Sequence, residues 1–178
     1  MRTFVVRLTM LALAGGMALA AAAAEVTVRD SAGLKAACAA AGPGTVIRLA
    51  PGAYQPGVYV GGKSGGPGRP IVIEGADADH PPVFTGGNEA LHFASCSHLV
   101  LRHLAIRGQQ DNGLNIDDGS EPGSAHHVLV EDVRVEDVGP RGNHDAIKLS
   151  GLADFEVRGC TLHGWGGQGI DMVGCHRG

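Results

Sequence analysis

The sequence is short of the features that mark several large protein classes. It has no CxxC pair and no HExxH, which removes the usual zinc signatures. Its one glycine-rich loop, KSGGPG (63–68), lacks the terminal Gly-Lys-Ser/Thr and following helix of a phosphate-binding loop, and reads as a turn. Glycine is abundant, at 29 residues against seven aromatics, but without a collagen period or a low-complexity tract. Long helical patterns are also missing. The one candidate is SAGLKAACAA (31–40), with Ser31 as N-cap and Gly42-Pro43-Gly44 as its stop.

Basic charge is in deficit as well. Residues 1–24 carry Arg2 and Arg7, then the apolar run LTMLALAGGMALA, then Ala22-Ala23-Ala24, the pattern of a cleaved secretory signal peptide. Taking those two arginines from the 14 Lys+Arg leaves 12 against 18 Asp+Glu, a formal charge of −6. Such a balance argues against nucleic acid as a partner, though not against an anionic sugar held by a local cation. No later segment is apolar enough to span a bilayer, so the expectation is a periplasmic or secreted monomer with no membrane contact after cleavage. The remaining 154 residues, 25–178, suit one domain.

What is present is a repeat. HLVLRHLAIR (98–107), HVLVEDVRVE (127–136) and DFEVRGCTLH (154–163) align with their apolar positions in step. A second column, EALHF (89–93), NGLNI (112–116), DAIKL (145–149) and QGIDM (168–172), recurs at offsets of 23, 33 and 23. The surplus of ten falls in DDGSEPGSAH (117–126), a polar inserted loop. Three short strands per repeat, each needing its neighbours for pairing, specify an all-β, single-stranded right-handed parallel β-helix. The helix and TVIRLAPGAY (45–54) cap its start, and PIVIEG (70–75) and PVFTGG (82–87) continue it. The chain stops part-way through a coil, so the expectation is a domain truncated at its C-terminal end.

Cysteine follows the same frame. Cys96 and Cys175 share a column but lie three coils apart, about 14 Å at strand spacing, beyond disulfide reach. Cys160 takes a core position and Cys38 lies in the helix, so buried thiols are expected.

Stacking turns the alignment into a surface. His92, Asn115, Lys148 and Asp171 form one outward column, and Glu89, Asn112, Asp145 and Gln168 form another at the preceding corner. Between them Ala90, Gly113, Ala146 and Gly169 read as a strip nearly without side chains, giving a shallow groove. Lys148 is expected about 4.8 Å from both Asn115 and Asp171, and about 9.6 Å from His92.

The cap helix, GTVIRLAPGAY, PIVIEG and NHDAIKLSGLADFEVRGCTLHGWGGQGIDMVGCHR together resemble secreted bacterial β-helix proteins of the pectate-lyase-like superfamily, across nearly all of 25–178. The resemblance implies action on an acidic, uronate-containing polysaccharide by lyase-type β-elimination. In such lyases a sheet lysine or arginine removes the proton α to a uronate carboxylate that a cation neutralises. Carried over, Lys148 is the catalytic proton acceptor, and Asp145 and Asp171, with Asn115, arrange a cation such as Ca2+. Asn115, His92, Trp165 and Arg177 are candidate substrate contacts, with His92 a proton shuttle or a surface histidine and Trp165 a sugar platform or a corner cover. His144 reads as a corner residue, while Asp117, Asp118 and Glu121 belong to the inserted loop as solvated acids, calcium ligands or a groove rim.

The sequence departs from the lyases in having no trio of acids on adjacent strands and no arginine beside Lys148. Two readings stay open. A lysine base needs its pKa lowered, whereas facing carboxylates raise it unless they hold a dication. Without one, Lys148 is salt-bridged, Asp145 and Asp171 are available for glycoside hydrolysis only if unpaired from it, and the protein is a non-catalytic carbohydrate-binding or structural β-helix.

Overall fold

The computed structural model describes residues 24–178; residues 1–23, where the leader reading falls, lie outside the described residues. The chain forms the expected right-handed parallel β-helix, about five coils with one short helix. Three parallel sheets run along the solenoid. The first contains β1 (Glu25–Val28), β2 (Val46–Leu49), β5 (Ile71–Gly75), β8 (Ser97–Arg102), β11 (His126–Glu131) and β14 (Ala153–Arg158). The second contains β4 (Val58–Gly61), β7 (Leu91–Ala94), β10 (Leu114–Asp117), β13 (Ile147–Ser150) and β16 (Ile170–Val173). The third contains β3 (Ala53–Tyr54), β6 (Val83–Thr85), β9 (Ala105–Arg107), β12 (Arg134–Val138) and β15 (Thr161–Trp165).

Alternation decides which side chains enter the core. Leu91 and Phe93, Leu114 and Ile116, and Ile147 and Leu149 point inward and are buried, stacked in register from coil to coil. Leu99, Leu101, Val128 and Val130 do the same in the first sheet. Burial declines along the axis: Leu149 and Leu152 are fully buried, while Phe155, Val157, Cys160 and Leu162 in the last coil are only partly so.

The helix α1 (Ser31–Ala40) closes the first end by burying Leu34 and Cys38 against the core. Its cap is not Ser31. Asp30 holds the extended backbone that an N-cap needs, and its Oδ1 accepts from the Gly33 N–H at 2.7 Å. Ser31 is already in the helix, and its hydroxyl donates to the Gln55 carbonyl at 2.7 Å.

The outer face of the first sheet carries an ordered set of charges. Arg48, Glu74, Arg102, Glu131 and Arg158 occupy one register position of successive coils, so opposite signs alternate along the axis. Glu74 is 3% exposed and is gripped from both sides, by Arg48 at 2.6 Å and Arg102 at 2.5 Å. Arg158 reaches Glu131 at 2.6 Å.

Cys38, Cys96, Cys160 and Cys175 are all free. The expectation of buried thiols holds for Cys38 and Cys96. Cys160 and Cys175 are only half-buried, because they belong to the last coil.

Candidate active-site face

The second sheet places Tyr59, His92, Asn115, Lys148 and Asp171 at one outward register position, one residue per coil. The column expected from the sequence is therefore real, and it begins one coil earlier, at Tyr59. The offset from Tyr59 to His92 is 33, the same value that separates Asn115 from Lys148, so the repeat itself pointed to this residue.

Histidine and lysine sit in different surroundings on this ladder. His92 Nε2 lies 2.6 Å from Asp117 Oδ2 and its Nδ1 lies 3.2 Å from Glu89 Oε2, so carboxylates hold both ring nitrogens. The Tyr59 ring meets His92 edge-on at 5.1 Å and is 62% exposed. Asp117 is thus a strand residue and not part of the inserted loop, which runs from 118 to 125. Asp118 does belong to that loop, where its Oδ1 accepts from the Ser120 N–H. Glu89 also accepts from Asn115 Nδ2 at 3.1 Å and Asn112 Nδ2 at 3.4 Å, which turns the Asn115 amide toward Glu89.

The corner column continues the network. Asn112 Oδ1 accepts from the Asp145 N–H at 2.8 Å, and Asp145 Oδ1 accepts from the Gln168 N–H at 2.8 Å. Asp145 is 1% exposed, and its Oδ2 lies 3.7 Å from the Lys148 ammonium. The same ammonium donates to Asp171 Oδ2 from the neighbouring coil. That bond raises the Lys148 pKa above its ordinary value, with the charges of Asp171 and Asp145 adding to it and burial opposing it. In this state Lys148 is an ammonium gripped by two carboxylates.

Three expectations need correction. The strip of small residues does not face outward. Ala90 and Ala146 are fully buried, and a Cβ on Gly113 would come within 2.6 Å of Val135 Cγ1. At the bend between sheets, consecutive residues both turn inward, so strand alternation does not extend past the strand's first residue. These positions are small because the corner is packed, and no groove separates the two polar columns.

Trp165 is likewise not on the Lys148 face. It pairs with Val138, a buried core residue, and its ring lies against Gly169; at the partly covered last coil it is 43% exposed. Gly164, with φ of 66°, resets the alternation just before it. Arg177 belongs to the first sheet, where it holds Asp154 through two bonds of 2.5 and 2.8 Å. His176 bridges Ala153 there. His144 is a corner residue as expected, 3.6 Å from Asp111.

The face is open. The depression lined by Tyr59, Glu89 and His92 measures about 160 Å³, below the roughly 300–1,000 Å³ of enclosed small-molecule sites. Such a surface suits a polymer laid across the coils better than a sequestered metabolite. For a hard cation, Asp145 Oδ2 and Asp171 Oδ2 converge on one point, where the lysine ammonium now supplies the positive charge. That donor set fits part of a Ca2+ shell, whose other oxygens must come from elsewhere.

No protein-family model matches the chain, and no curated protein sequence does. Among solved structures, the crystal structure of an alginate lyase from Paenibacillus sp. str. FPU-7 is similar, with a TM-score of 0.53 and 16% identity. The match covers 87% of this chain and 76% of that one. At that identity the likeness is one of fold, and it agrees with the β-solenoid described above.

Proposed function

We propose that this protein binds an acidic, uronate-containing polysaccharide along the outer face of the second sheet and cleaves it by β-elimination. The carrying observation is the placement of Lys148 on an open ladder, held between two carboxylates. The fold shared with an alginate lyase agrees with this reading.

Lys148 is the proton acceptor in this mechanism. It removes the proton α to a uronate carboxylate, the electron pair forms the C=C bond, and the glycosidic C–O bond breaks with its electrons going to the leaving oxygen, which takes a proton from water. To act this way Lys148 must start neutral, which the ion pair with Asp171 opposes. Asp145 and Asp171 would hold a dication, which would supply a positive field favouring the free amine and balancing the uronate carboxylate. Asn115 and His92, one and two coils away on the same column, would contact neighbouring sugars, and Tyr59 would extend that line by a further coil. Export through the amino-terminal leader would deliver the protein to such a substrate.

A second reading has its own observation. The ion pair itself keeps Lys148 protonated, which suits a non-catalytic face that binds anionic sugar. One experiment separates the two. Ultraviolet absorbance of unsaturated uronate is followed on a panel of polyuronates, with and without calcium, for wild type and Lys148→Ala. Product from wild type alone, with both proteins folded by circular dichroism, supports the lyase. Binding without product from either supports the non-catalytic face.

A further inference from the structure

Three histidines meet at the start of β8 and β11, on the first sheet and away from the Lys148 ladder. His98 and His127 occupy matching corners of successive coils, and both hold left-handed backbone, with φ of 48° and 54°. His126 precedes His127 at the same corner. The His126 and His127 Nδ1 atoms lie 2.8 Å apart, and the His98 ring stacks on His127 with centroids 4.6 Å apart. His98 also meets His126 edge-on at 5.2 Å. One ring nitrogen from each of the three lies within 4.8 Å of the others.

We propose that His98, His126 and His127 form a binding site for a first-row transition dication, with Zn2+ the best match. Three imidazoles offer borderline-soft nitrogen donors, which suit Zn2+, Cu2+ and Ni2+ and not calcium. Around a tetrahedral zinc with bonds of about 2.0–2.1 Å, ligand nitrogens stand about 3.4 Å apart. The His126–His127 pair is already near that spacing, and the half-buried His98 and exposed His127 rings, stacked in this structure, turn to bring the third nitrogen in.

Asp154 continues the column one coil on from His127, also left-handed with φ of 52°. It offers a negative charge to balance a dication, although Arg177 holds it in this structure. A bound ion would tie the coil of β8 to the coil of β11 by side chains, in addition to the backbone ladder.

The test uses tag-free protein, since a polyhistidine tag would bind the same ions. Zn2+ is titrated calorimetrically into wild type, His98→Asn, His127→Asn and His163→Asn, the last an exposed histidine outside the cluster, and Co2+ is added to wild type to record its visible spectrum. Asparagine removes the imidazole yet tolerates the left-handed backbone, and circular dichroism checks that each variant folds. The expected result is one Zn2+ bound at the histidine cluster, at least tenfold weaker in His98→Asn and His127→Asn and unchanged in His163→Asn. The Co2+ spectrum is expected to show the strong visible bands of a tetrahedral nitrogen-rich site. No binding by wild type, or wild-type affinity retained in both His98→Asn and His127→Asn, would overturn the proposal.

Discussion

Lys148 and Asp171 face each other at one register position of neighbouring coils, and the lysine ammonium donates to the aspartate carboxylate. Asp171 holds the proton on Lys148. On the proposed function, Lys148→Ala is expected to lower turnover of a polyuronate by about 100-fold or more, the usual worth of a positioned proton acceptor, while the fold by circular dichroism stays intact. Asp171→Asn removes the largest cause of the raised Lys148 pKa, so the amine titrates at lower pH. Turnover of that variant as a function of pH, or NMR titration of Lys148, reads the direction.

The same pair shapes alkaline stability. Because its folded pKa is raised, Lys148 contributes stability that is fully present below the ordinary lysine value of about 10.4 and fades as pH climbs through the folded one. Asp154 behaves oppositely. Arg177 lowers its pKa, so its contribution is present above about 3.9 and fades as pH falls through the folded value. Urea unfolding across pH should show a flatter alkaline limb for Lys148→Met and a flatter acid limb for Asp154→Asn. Unchanged limbs would mean that neither ion pair persists in solution.

Glu74 is buried between two arginines, which makes the arginines more important than their exposure suggests. Replacing both Arg48 and Arg102 by alanine leaves an uncompensated buried carboxylate, at an expected cost of about 3–5 kcal/mol in urea unfolding. Adding Glu74→Gln to that double variant should restore part of the loss. A double variant as stable as wild type would show that Glu74 is solvated.

The thiols differ in reactivity by burial. The Cys38 thiol is pushed up to about 12, first by burial and then by neighbouring Cys96, and burial raises Cys96 as well. At pH 8 a disulfide reagent should leave both untouched in the native protein and modify them only after unfolding. Half-buried Cys175 is expected to react first, as mass mapping of the labelled peptides would show.

The repeat was readable because inward side chains must stack coil upon coil, so Leu91, Leu114 and Ile147 recur where the offsets place them. Outward columns inherit that register, which is why Lys148 could be set against Asn115 and Asp171 from the sequence. Corners are different. Ala90 and Ala146 turned inward at bends, Trp165 changed sides after left-handed Gly164, and Arg177 had already crossed into the first sheet. Alternation holds within a strand and fails at each such bend. The histidine cluster also stayed hidden, because adjacent His126 and His127 should face opposite ways in a regular strand. The left-handed backbone at His127 breaks that rule and brings the two rings together.

The alternating Arg48–Glu74–Arg102–Glu131–Arg158 row constrains how such a solenoid can lengthen. Duplicating one coil would set arginine beside arginine, or glutamate beside glutamate, at the new junction. Duplicating two coils together preserves the order of signs. The growth step that keeps this row alternating, whether by gene duplication or by design, is therefore a pair of coils, and an odd insertion announces itself as one pair of repelling charges.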